Sequence, residues 1–138
     1  MTTHLVVLGQ LVELLGRIPQ VIIRVARPGE LLPGELGATL FLTHEILLRP
    51  GLDPRTARTT LAHELVHLLR GPCFEGDEHA EEQAVRALTA QILLPPPGWP
   101  PTVDTPTTAA GLAERYLIDT DAATLALELA RGRHGEVA

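Results

Sequence analysis

The clearest periodic segment of the chain runs from Pro54 to Arg70, where Ala57, Leu61, Leu65 and Leu68 recur at helical spacing. Asp53 supplies an N-cap, and Pro54 takes the first helical position, where a missing N–H costs nothing. Gly71 and Pro72 stop the segment just as cleanly. The pattern predicts a helix from about Pro54 to Arg70 whose apolar stripe turns toward a core. At about 100° per residue, His63 and His67 fall on the opposite side with Thr56 and Thr60, and Glu64 lies at the edge. One face of this helix should therefore pack while the other lines a cleft.

Ahead of that helix the pattern shortens. Val21 to Val25 is a β-branched run that ends before Pro28, and Leu36 to Thr43 and Glu45 to Leu48 read as further strands. Gly29, Pro33 and Gly34 are turn material between them. A small antiparallel sheet packed on the helix is the arrangement these runs predict. His44 is then most simply a strand residue; it precedes Glu45, but Leu48 stands where a second histidine would have to follow. From Leu5 to Leu15 apolar residues are too dense for a clear period, and a helix fits them slightly better than a strand.

After the helix, Asp77 can cap a second one running from about Glu78 to Leu94, stopped by Pro95. Six of the twelve prolines fall between Pro95 and Pro106, so residues 95–106 should be extended. Thr107 to Tyr116 and Asp121 to Arg131 read as two short helices around an Ile118–Thr120 turn. Their outline is that of a helix-turn-helix, yet no basic recognition face is present, and helical packing is the better reading. The expectation is an α+β fold: residues 1–94 as the main unit, 95–106 as a proline-rich segment, and 107–138 as a helical extension of the same domain.

A chain of 138 residues can bury roughly two-thirds of its unfolded surface in one domain. Aromatic residues make up only 3%, so the core must come from Leu, Val, Ile and Ala. The net charge is −6 and every basic residue is arginine, a poor electrostatic match for direct contact with nucleic acid. The single cysteine, Cys73, cannot form an internal disulfide and fits a reducing compartment. The start lacks a positively charged region, and Gln10, Glu13 and Arg17 interrupt the first apolar stretch. No run is long enough to span a membrane, so the expected location is cytoplasmic.

Candidate chemistry sits in the string His63-Glu64-Leu65-Val66-His67. Residues four apart share a helix face, so both imidazoles can reach one metal ion. Glu64 is rotated away from that direction, within reach of a water beside the metal. Two ligands plus a carboxylate base is what a zinc hydrolase requires. A third protein ligand is also needed. Arg70 and Cys73 occupy the positions where one zincin pattern places a glycine and a further ligand, and without the glycine that route is poor. The second helix is the better source, because it opens with Glu78, Glu81 and Glu82. Acidic residues in a first turn also need no metal, since the helix dipole favours them. Helical phase aligns Glu81 with Ala84, Val85, Leu88 and Ile92, and so selects Glu81.

The segments TLAHELVHLLRG and EEQAVRALTAQILLP resemble the ImmA/IrrE family of zinc metallopeptidases, in particular its short members from actinobacteria and their phages. The likeness spans roughly Gly37 to Leu94 and includes a strand pair and the string LRPGL. It implies a zincin-like fold with zinc as cofactor, His63 and His67 as ligands and Glu64 as catalytic base. Anchored on Pro95, the family register makes Glu82 the third ligand, with Glu81 kept as the alternative that helical phase selects. Val85 and Arg86 stand where the larger members have Ala and Asn. The resemblance further implies a protein substrate, a transcriptional repressor cut in a stress, phage or mobile-element response. The rival is a non-catalytic metal-binding domain that acts on a regulatory partner by contact. For stabilising a developing oxyanion, His79, Tyr116 and His134 are candidates by residue type alone.

Overall fold

The computed structural model describes residues 20–93 and 108–136, together with Gly16, and the side chains of the last helix as far as residue 129. The apolar run at Leu5 to Leu15 and the proline-rich 95–106 lie outside the described residues. Among the described residues, three strands and four helices follow in order: β1 (Ile22–Val25), β2 (Gly37–Leu40), β3 (Glu45–Leu48), α1 (Pro54–Arg70), α2 (Glu78–Ile92), α3 (Ala109–Tyr116) and α4 (Thr120–Glu136). The class is α+β, with one small mixed sheet.

The sheet departs from the antiparallel arrangement expected. β2 and β3 do form an antiparallel hairpin, Gly37 opposite Leu48 and Leu40 opposite Glu45. β1, however, pairs with β3 in parallel, Ile22 opposite Glu45, giving the order β1-β3-β2. The chain leaves β1, passes over the place β3 will occupy, and enters β2 at the far edge; β3 then returns through the gap. Alternation along a strand fixes which side chains face inward, not which strand lies beside it, so this insertion is invisible in the pattern. β3 becomes the central strand, with Ile46 and Leu47 both buried. His44 is not a strand residue: it sits in the turn between β2 and β3 with a φ of 53°, and its carbonyl accepts the N–H of Ile22.

α1 has the bounds its punctuation predicts. The Asp53 carboxylate accepts both the backbone N–H of Thr56 at 3.0 Å and its hydroxyl at 2.8 Å, which holds the Asp53 acid below its usual range. Gly71, at φ 80°, closes the last turn with an N–H to the His67 carbonyl. The buried face is broader than the predicted stripe. Leu65 and Ala62 enter the core, while Thr60 and Glu64 are buried as well, on the side that meets the sheet. Gly37 explains that closeness. A Cβ there would stand 2.7 Å from Thr60 Cγ2 and 2.8 Å from the Leu47 carbonyl oxygen, so only glycine lets β2 approach α1 this far.

α2 begins where expected, but the side chain of Asp77 does not cap it. With φ −100° and ψ 5° the residue is not extended, and its carboxylate reaches no helix N–H. The Glu78 carboxylate instead accepts the Gly76 N–H, and the Asp77 carbonyl accepts that of Glu81.

One core joins the sheet, α1 and the C-terminal helices. Ile46, Leu65 and Leu93 pack in it with Leu112, Tyr116 and Ile118. The α3–α4 turn is fastened to α1 by the Asp119 N–H, which donates to the Thr59 hydroxyl at 2.9 Å. Among the described residues no helix is long and apolar enough to cross a membrane.

Candidate metal centre

The i, i+4 spacing on α1 brings His63 Nε2 and His67 Nε2 to 3.2 Å from each other, with both rings partly buried. α2 crosses α1 so that the Glu82 carboxylate faces both rings, Oε1 at 2.8 Å from His63 Nε2 and Oε2 at 3.1 Å from His67 Nε2. Donors held by one tetrahedral zinc at about 2.0–2.1 Å stand about 3.3 Å apart. The three residues have the donor types of a zinc site, and one such atom from each lies within 4.8 Å of the others, so the group could hold a metal ion. Among the described residues His63, His67 and Glu82 form the one group of this kind.

Helical phase and family register disagreed by one residue about the third ligand, and the structure separates the two carboxylates. Glu81 is indeed the less exposed of the pair, its side chain 16% accessible against 47% for Glu82. Its partner, though, is Arg70 at the end of α1: Nε donates to Oε1 at 2.6 Å and Nη2 to Oε2 at 2.9 Å. That two-point pair holds the Glu81 acid below its usual range. Phase read the inward direction correctly and could not tell that an arginine waited there. Glu78 is engaged with Gly76, and Cys73 is exposed and outside the group.

Glu64 lies beside the cluster and is 8% exposed. The hydroxyl of Thr39, on β2, stands 2.6 Å from Glu64 Oε2 and 3.0 Å from the Glu64 main-chain oxygen. The other carboxylate oxygen, Oε1, accepts no hydrogen bond from the described residues. Two cavities adjoin the group. One, of about 390 Å³, is lined by Thr56, Thr60, His63, Glu64, Arg86 and Asp119 among others. The second, of about 370 Å³, runs along β2 past Thr39 and Phe41 to His67. The face carrying Thr56, Thr60 and the histidines thus lines a cleft, as the helical pattern predicts.

The residues proposed by type for an oxyanion are not brought here. Tyr116 is buried in the core, where desolvation raises its phenol pKa. His79 is exposed on the first turn of α2 and lines neither cavity; His134 falls outside the described side chains. Arg86, one turn beyond Glu82, is the cation that does line the larger cavity. The sequence assigns no part in the site to Thr39, Gly37 or Arg86. For Arg86 the i, i+4 spacing from Glu82 was a usable signal, whereas the contacts of Thr39 and Gly37 with α1 depend on tertiary packing.

Compared with known proteins, the chain matches no family model, no curated protein and no solved structure.

Proposed function

We propose that the protein is a zinc-dependent metallopeptidase, with zinc held by His63, His67 and Glu82 and Glu64 as the proton-transferring base. The observation that carries this reading is the convergence of two imidazole nitrogens and a carboxylate about 3 Å apart, with a second, buried carboxylate directly beside them. The resemblance of residues 60–71 and 81–95 to ImmA/IrrE metallopeptidases supports the same assignment.

Zinc, when bound, supplies a Lewis acid that polarises a carbonyl oxygen and lowers the pKa of water. The chain's own groups do the rest. Glu64 takes the proton of the attacking water through Oε1, the oxygen not committed to Thr39, as the new C–O bond forms. The same proton passes to the amine nitrogen as the C–N bond breaks. The cavity along β2 can seat an extended segment of substrate, and Arg86 offers a guanidinium to a substrate oxygen in the other. Following the family likeness, the substrate is a protein, a transcriptional repressor cut in a stress, phage or mobile-element response.

The test is Glu64→Gln. The variant is expected to keep the fold and about one zinc per chain, while cleavage falls by about 10²–10⁴. Cell extracts incubated with either protein and searched by mass spectrometry for new N-termini give the readout. New termini in equal yield with both proteins exclude Glu64 as base. Termini with neither, from zinc-loaded protein, favour the contact-only domain.

A further inference from the structure

We infer that Thr39 is a positioning residue for Glu64, one that fixes which carboxylate oxygen faces the reacting groups. The inference rests on the metallopeptidase reading and extends it to a residue on the sheet.

Thr39 comes from the edge strand β2, 25 residues before Glu64, and its Oγ1 lies 2.6 Å from Oε2. A hydroxyl has one proton to donate. The 3.0 Å approach to the Glu64 main-chain oxygen is the longer of its two contacts, so the carboxylate is the preferred acceptor. A glutamate side chain has three rotatable bonds, and a bare helix would leave its head to turn between the metal ligands and solvent. Thr39 removes that freedom by engaging one oxygen, which leaves Oε1 for the cleft. Burial makes the bond count for more, because little water competes for Oε2 at 8% exposure. Gly37 is the second part of the device. Its missing side chain lets β2 lie against α1, since a Cβ would stand 2.7 Å from Thr60 Cγ2 while only touching Glu64 Cγ at 3.4 Å. The strand therefore approaches closely enough for Thr39 to supply the donor that orients Glu64.

The experiment uses acetohydroxamate, a small metal chelator whose hydroxyl offers its proton to a neighbouring base. Its affinity for the zinc-loaded protein is measured by calorimetry, alongside zinc affinity and Tm. Thr39→Val removes the hydroxyl at nearly constant shape and is expected to weaken acetohydroxamate about tenfold while zinc affinity stays within about twofold. Thr39→Ser keeps the hydroxyl and is expected to bind as the wild type does. Thr39→Ala, smaller than either, is expected to behave as Thr39→Val, and the Ala and Ser pair decides the matter if the Val protein does not fold. In a Glu64→Gln background, Thr39→Val is expected to change acetohydroxamate affinity by less than about twofold, since a general loosening of the strand would still act there. Val and Ala proteins that bind acetohydroxamate as tightly as wild type overturn the positioning role and leave the metallopeptidase reading standing. A wild-type protein that takes up no zinc overturns that reading, and the role of Thr39 with it.

Discussion

Two clusters of carboxylates in this molecule are built on opposite electrostatic plans. At β1, Arg24 donates to both oxygens of Glu30 at 2.8 and 2.6 Å and approaches Glu45 at 3.3 Å. The Arg27 N–H and the Thr43 hydroxyl complete the set. Each acid there meets a permanent cation of the chain itself. On α1 and α2, Glu82 faces two imidazoles whose nitrogens are 3.2 Å apart, and among the described residues no arginine forms an ion pair with it. Arg70 is close enough to serve, but Glu81 engages it. Convergence of acids is thus common to both regions; what separates them is whether the protein brings its own positive charge. The β1 cluster is complete as it stands. The other is a group that could hold an external cation.

The largest effect should come from the histidines. His67→Ala is expected to abolish stoichiometric zinc, read by metal analysis of the purified protein, while Arg24→Ala leaves the stoichiometry near one. One tightly held equivalent in the His67→Ala protein would place the metal elsewhere and dissolve the contrast.

The next effect tests the neighbours on α2. Glu82→Gln is expected to weaken zinc binding well over tenfold, because it removes both a donor and a charge. Glu81→Gln breaks an exposed pair with Arg70 and removes an acid from the first turn of a helix, so its effect on zinc should be small. A zinc titration of both variants decides between them. Should Glu81→Gln cost as much as Glu82→Gln, the Arg70 pair is orienting the ligand beside it, and the line between structural and metal-binding acids blurs.

How much of this could be read in the chain differs sharply by segment. The bounds of α1 were written in Asp53, Pro54 and Gly71, residues whose effect on the backbone is local. The His63–His67 pair was equally legible, since a helix fixes the spacing of its own side chains. Glu81 against Glu82 was legible only through the family register and not through helical phase, because the direction of Glu81 depends on an arginine eleven residues earlier on another helix. The parallel pairing of β1, the grip of Thr39 on Glu64 and the closeness permitted by Gly37 are all contacts between segments far apart in sequence. Local periodicity describes which face of an element is apolar; it carries no address for the partner. The α3–α4 segment shows the same limit: its helices were visible, while the Asp119-to-Thr59 bond that fastens their turn to α1 was not.

The smallest effect belongs to the β1 cluster and concerns pH. Hydrogen bonds from the Arg24 guanidinium first and the Arg27 N–H second, with the charges of both arginines, pull the Glu30 acid from about 4.5 down to about 2. A carboxyl whose folded pKa lies below its unfolded one stabilises the fold fully above the unfolded value. That stabilisation is lost as pH falls through the window from about 4.5 to about 2. Glu30 is exposed, so water and salt screen the pair and the gain is modest. Glu30→Gln should therefore lower Tm slightly at pH 7, with the gap to wild type closing as pH falls toward 2 and narrowing in high salt. Any metal that the proteins bind would be lost from both alike at low pH and cancel in the difference. Thermal melts of the pair at pH 7, 4 and 2.5 supply the measurement, with zinc stoichiometry at pH 7 unchanged in the variant. A gap that stays constant across that range would mean that Glu30 acts by packing, and the charge argument for the β1 cluster would fail while the proposal for a metal at His63, His67 and Glu82 stood untouched.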